Sequence, residues 1–215
     1  MTVVVSLGGS FLFEHPEKIS ELNRLIKKVN EQFIVVCGGG MVAREYINFA
    51  SGLDLDSEFL HKVGIELTRV NAMIIAKKLG GGFYNKDPRR IELMSKVTVT
   101  GGYKPGWTTD TCAAYAAVAS KSDILFNLSK EKNVYDKDPS EHRNAKPIKS
   151  MLFSDLYRLT KGSRKPGMNF IFDPLAGKIC EKNEITVVVT DDPLDISNYL
   201  NKKEVDGTII KGLNW

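Results

Sequence analysis

Three glycine clusters, each behind a short run of β-branched or apolar residues, are the features of this sequence best suited to chemistry. Gly8-Gly9-Ser10 follows residues 2–7, Gly38-Gly39-Gly40 follows residues 33–37, and Gly101-Gly102 follows residues 96–100. Glycine admits positive φ and close backbone approach, so consecutive N–H groups can form a nest for an anion. A helix that starts just after such a turn adds partial positive charge. Arg44 stands one helical turn beyond Gly40, where its guanidinium fork can return to a phosphate at the helix start. The alternative for Arg44 is a surface cation on an amphipathic helix. One glycine pair after a strand is a turn; three strand–glycine–helix passages point to phosphate binding.

The better-known phosphate signatures do not account for these clusters. GxxxxGKS/T is absent, which disfavours the adenylate-kinase type of nucleotide kinase. Residues 38–43 fit GxGxxA, but the acidic residue due about 20 positions later would be Glu58, inside a helical stretch rather than at a strand end. The dinucleotide fingerprint is therefore incomplete. His15, His61 and His142 show no triad-like arrangement. The cysteines Cys37, Cys112 and Cys180 are odd in number and far apart, with no CxxC spacing, so neither a zinc site nor a disulfide framework is expected.

The clusters need strands and helices to carry them. Residues 2–7, 33–37, 96–100, 123–128, 185–190 and 207–210 read as strands. Residues 16–30, 41–50, 57–79, 108–120, 173–182 and 194–200 read as helices. In the first of these, Ile19, Leu22, Leu25, Ile26 and Val29 share one face and Pro16 sits in the first turn. Ser57 is expected as an N-cap, and Gly80, Gly81 and Gly82 are expected to end that helix. Residues 131–150 read as a long polar loop. The alternation predicts an α/β fold with a mainly parallel sheet between two helical layers. Ligands of such sheets bind beyond the carboxyl ends of the strands, where the glycines fall.

Composition narrows the classes further. The 215 residues suit one large domain or two closely joined lobes. Charge is 30 − 26 = +4, without a block of five like charges, so a nucleic-acid arm is not expected. The apolar run 113–119 is far below the roughly 20 residues of a membrane span. The first residues lack a basic leader, so a secretory signal is not expected, and a reduced cytoplasm is the simplest compartment.

Six segments in order, VVVSLGGSFL, IVVCGGGMVAREYI, VGIELTRVNAM, TGGYKPGWTTD, VYDKDP and FDPLAGKI, resemble the ordered motifs of the amino acid kinase family, and most of all its archaeal UMP kinase branch. The resemblance spans roughly residues 3–210. It implies a single three-layer αβα sandwich over residues 1–215, with UMP held by the N-terminal half and ATP by the C-terminal half. It also implies Mg²⁺ carried by the nucleotide phosphates rather than by protein ligands, a homohexamer built as a trimer of dimers, and a role in making UDP for pyrimidine nucleotide (CTP) synthesis.

Matched residue by residue, the resemblance assigns ATP to Ser6, Leu7, Gly8, Gly9, Ser10, Gly40, Arg44, Ser129, Tyr135, Asp138 and Lys178. UMP is assigned to Gly39, His61, Gly102, Tyr103, Lys104, Pro105, Gly106, Trp107 and Thr108. Lys178, Ser10 and Arg44 are implied as the catalytic set, Lys178 reaching the ATP phosphates from one turn inside a helix. Open alternatives are a solvated helix lysine for Lys178 and a loop anchor for Tyr135. Trp107 stacks on uracil or packs at a subunit contact. Asp110 reads as a structural charge at a helix start.

The sequence departs from the family at three places. Ser6 stands where many members carry lysine, and His61 where the archaeal branch usually has Asp. Lys130 and Lys132 replace an Asn and an Asp, which makes either lysine a candidate source of positive charge or a plain surface residue. Two other readings remain: a kinase of another small phosphate such as isopentenyl phosphate, and a non-catalytic nucleotide-binding or storage protein. The histidine that isopentenyl phosphate kinases carry soon after the glycine turn is absent from residues 41–46.

Overall fold

The computed structural model describes residues 1–137, 139, 141–160 and 172–213. The chain opens with β1 (Thr2–Leu7), α1 (Gly9–Glu14), α2 (Pro16–Lys28) and β2 (Gln32–Cys37). Two helices follow, α3 (Gly40–Ser51) and α4 (Ser57–Leu79), then β3 (Gly82–Phe83), β4 (Val97–Thr100) and α5 (Thr109–Ala119). The second half contains β5 (Ile124–Leu128), β6 (Val134–Tyr135), β7 (Pro147–Ile148), β8 (Ser150–Leu152) and α6 (Phe153–Thr160). It closes with α7 (Pro174–Lys182), β9 (Thr186–Thr190), α8 (Leu194–Leu200) and β10 (Thr208–Lys211).

Eight strands form one sheet in the order β3-β4-β2-β1-β5-β9-β10-β8. Every pairing is parallel except β9 with β10. Alternate residues of each strand face opposite sides, and each side has its own core. Val3, Val5 and Leu7 pack with Leu22 and Ile26 of α2 and with Ala72 and Ile75 of α4. Val4, Ile34 and Leu125 pack with the alanines of α5 and with Ala176 and Cys180 of α7. The small side chains of α5, fully buried at Ala113, Ala114, Ala116 and Ala117, let that helix lie close on the sheet. The result is the expected three-layer α/β sandwich.

β1 has β2 on one side and β5 on the other, so the chain winds outward from it in both directions. That reversal of strand order opens a crevice at the carboxyl ends of β1 and β5.

Several local expectations shift. Asp56, not Ser57, caps α4, its carboxylate accepting from Phe59 N–H at 2.9 Å. A carboxylate adds charge–dipole stabilisation at that end, which a hydroxyl does not. Gly80 ends the helix in the left-handed region at φ 68°, a role glycine fills without strain. The stretch 131–150 is not all loop: β6 and β7 pair antiparallel within it. α1 is an unforeseen helix; Phe11, fully buried in the core, anchors it. No helix of the described residues is long and apolar enough to cross a membrane.

Candidate active site

The carboxyl ends of β1, β2 and β5 open into one cleft of about 310 Å³. Two glycine turns form its floor. Gly8 N–H donates to Leu128 O at 2.8 Å, and Gly38 N–H donates to Leu7 O at 2.8 Å, which ties each turn to its neighbouring strand. The turns are pressed backbone to backbone. A Cβ on Gly9 would lie 2.0 Å from Gly40 N, and one on Gly40 would lie 2.5 Å from the Gly9 carbonyl carbon. Gly40 also takes φ 65°. Only glycine satisfies both conditions.

Helix α3 starts at this contact. Its N-cap, Gly39, offers no side-chain acceptor, so first-turn N–H groups remain for an anionic ligand. One turn on, Arg44 Nη2 donates to Ser10 Oγ at 3.2 Å and brings the guanidinium to the glycine floor.

A carboxylate chain starts in the cleft wall, where Ser6 and Asp110 are lining residues. Ser6 Oγ donates to Asp110 Oδ1 at 2.7 Å, and Asp110 Oδ2 accepts from Asp173 N–H at 3.3 Å. Asp173 caps α7 through Leu175 N–H at 2.9 Å, and its other oxygen accepts from the hydroxyls of Thr108 and Thr111. The starts of α5 and α7 are thereby clasped together. Burial pushes the Asp110 carboxyl up to about 6; its bonds to Ser6 and to Asp173 N–H act the other way, and the nearby Asp173 charge adds to the rise. Asp110 thus links the end of β1 to the starts of α5 and α7 at the cleft wall.

Of the expected phosphate residues, Ser6, Gly8, Gly9, Ser10, Gly39, Gly40, Arg44 and Ser129 come together in the cleft walls. The Leu7 side chain is wholly in the core, and its carbonyl is taken by Gly38. Tyr135 lies on β6, Lys178 is exposed on α7 and His61 is exposed on α4. These three are not among the described residues that line the cleft. Asp138 lies outside the described residues. The loop from Gly102 through Tyr103, Lys104, Pro105 and Gly106 leads to Trp107 and Thr108 at the start of α5. The Trp107 ring stacks on Tyr115 at 4.4 Å between centroids, with Lys104 Nζ 4.3 Å from its own centroid.

Other positioning residues were missed in the sequence. Thr68 Oγ1 accepts from Gly102 N–H at 2.6 Å, and Arg69 donates to the Gly102 carbonyl at 3.3 Å. Asn71 Nδ2 donates to the Gly38 carbonyl at 2.8 Å. All three lie on α4, so one helix holds two glycine turns. Their signal was polar Thr68 and Asn71 on the same face as buried Ala72 and Ile75, a cost unless partnered. Thr109, Asn127, Lys130 and Glu131 also line the cleft.

The model of the amino acid kinase family matches residues 1–191. The chain belongs to the amino acid kinase family. Among curated members, it is 36% identical to the uridylate kinase of Methanocaldococcus jannaschii, the match covering 99% of this chain and 100% of that one. It is 37% identical to the uridylate kinase of Archaeoglobus fulgidus, over 98% of this chain and 100% of that one. The crystal structure of the Archaeoglobus fulgidus uridylate kinase superimposes with a TM-score of 0.85 at 34% identity, covering 98% of this chain and 100% of that one. As an amino acid kinase family member, the chain places its glycine turns at the switch point of the sheet, where this α/β architecture binds ligands.

Proposed function

We propose that this protein transfers the γ-phosphoryl group of ATP to UMP, giving UDP and ADP. The observation that carries this reading is the convergence of both glycine turns, the open N-terminus of α3 and Arg44 on one cleft, in a chain alike over its whole length to uridylate kinases.

The chemistry asks little of protein bases. A phosphomonoester has its second pKa near about 6, so UMP is largely dianionic at pH 7 and is itself the nucleophile. One of its phosphate oxygens attacks the γ-phosphorus in line. The bond from that phosphorus to the β–γ bridging oxygen breaks, and ADP leaves with the electron pair. Catalysis is then positioning and charge neutralisation. N–H groups of the glycine turns and Arg44 hold phosphate oxygens. Ser10 fixes Arg44 and offers its hydroxyl. Lys178, one turn into α7, serves the ATP phosphates, and the Asp110–Asp173 clasp sets where α7 begins.

This donor set fits a Mg²⁺ ion bound by phosphate oxygens. Asp110, the acid between the two glycine turns and α7, already accepts from Ser6 Oγ and from Asp173 N–H. When bound, the ion would offset charge on the transferring phosphoryl group.

The chain acts as one domain, UMP against the N-terminal half and ATP against the C-terminal half, in the cytoplasm. A homohexamer goes with this reading; exposed Phe49, Phe59, Met73 and Ile74 on α3 and α4 provide apolar surface for subunit contacts.

Coupled ADP release with UMP, CMP, AMP, isopentenyl phosphate and acetylglutamate tests the assignment. Release that depends on UMP is the expected result. Preference for isopentenyl phosphate, or tight nucleotide binding without turnover, would overturn it.

A further inference from the structure

We propose that Lys130 is a phosphate-neutralising residue of the cleft and that Lys132 is not, an inference that rests on the kinase reading above. The two lysines are two positions apart in the segment after β5, yet the fold gives them different partners. Lys132 Nζ forms an ion pair with Asp206, whose carboxylate also binds Lys149 Nζ at 2.9 Å. The Lys132 contact helps hold the Asp206 carboxyl below its usual range. Its charge is neutralised in a surface cluster just before β10.

Lys130 has neither an ion pair nor a hydrogen bond from its ammonium among the described residues, and it lines the cleft. Its backbone is fixed. Ser129 N–H donates to Thr190 O at 3.1 Å, and Ser129 Oγ donates to Glu131 O at 2.9 Å, closing a turn with Lys130 at its tip. β1 and β5 pair with Ser6 opposite Asn127 and Leu7 opposite Leu128, so the turns that follow both strands leave the sheet side by side. A Cβ on Gly8 would lie 3.6 Å from Ser129 Cα, which measures how closely the Lys130 turn abuts the glycine floor.

Charge makes the assignment matter. Among the described lining residues the cations are Arg44 and Lys130, while Asp110 and Glu131 are acids. Two phosphorylated ligands bring several negative charges to this cleft, and Lys130 is the second cation beside Arg44 on its described lining. Lys130 is placed at the mouth between β1 and β5, on the side of the cleft away from α3 and Arg44.

The test compares unaltered protein with Lys130→Ala, Lys130→Arg and Lys132→Ala, using UMP-dependent ADP release and calorimetric titration of ADP. Lys130 is exposed and, among the described residues, its ammonium has no partner, so its replacement breaks no described side-chain bond. The expected result is a fall in kcat/KM for ATP of about tenfold or more in Lys130→Ala, recovery in Lys130→Arg, and little change in Lys132→Ala. ADP should bind more weakly to Lys130→Ala. A fall below about threefold in Lys130→Ala, or an equal fall in Lys132→Ala, would overturn the inference. Absence of UMP-dependent release from the unaltered protein would instead overturn the kinase reading.

Discussion

Gly9 and Gly40 touch through their backbones: a Cβ on Gly9 would sit 2.0 Å from the Gly40 nitrogen. The contact locks the turn after β1 onto the start of α3 and brings Ser10 within reach of Arg44. A methyl group there cannot be absorbed by rotating a side chain, since both neighbours are main chain. Gly9→Ala should cost about 3 kcal/mol of stability and remove most turnover. Urea denaturation and ADP release measure the two effects; a stable, active variant would show that the turns can separate at no cost.

Lys178 makes the opposite prediction. It is exposed on α7 and no packing depends on it. Lys178→Met should melt within a few degrees of the unaltered protein and lose about 10²–10³ in kcat, as removal of one transition-state charge donor does. Retained turnover would leave α7 without a part in the chemistry.

Asp173 joins two helix starts. It caps α7 and accepts from Thr108 and Thr111 at the start of α5. Asp173→Ala removes the cap and leaves both hydroxyls without their acceptor. We expect a loss of about 2–3 kcal/mol and a lower kcat from a displaced Lys178. Asp173→Asn should recover much of the stability. Chemical denaturation of both variants checks this.

Asp110 predicts a pH effect on stability. Desolvation at its half-buried place in the cleft wall pushes its carboxyl up to about 6 from an ordinary value of 3.8. Between those values the folded chain holds a proton that the unfolded chain has released. Stability from this group therefore falls as pH rises from about 4 to 6. Asp110→Asn should flatten that part of the curve. Denaturation midpoints of both proteins across the window provide the comparison, and parallel curves would contradict the assignment.

Much of this site is legible in the sequence because glycine next to a buried strand has few uses. The turns at Gly8, Gly38 and Gly101 and the return of Arg44 to the helix start all follow from residue type and short spacing. Polar partners far apart in the chain do not. Thr68 meets Gly102 across 34 positions, Asn71 meets Gly38 across 33, and Asp173 meets Thr111 across 62. Each looks like an ordinary helix residue until the sheet order brings the pieces together. Lys130 and Lys132 show the same limit. In sequence they are interchangeable, and the fold separates them by lining the cleft with Lys130 and bringing Asp206 beside Lys132.

The central claim is phosphoryl transfer from ATP to UMP. It is tested most directly by incubating the protein with ATP labelled at the γ-phosphate, Mg²⁺ and UMP, and separating the products. The account predicts label in UDP at a rate that depends on UMP and collapses in Lys178→Met. Label in inorganic phosphate alone, or nucleotides bound without any transfer, would contradict it.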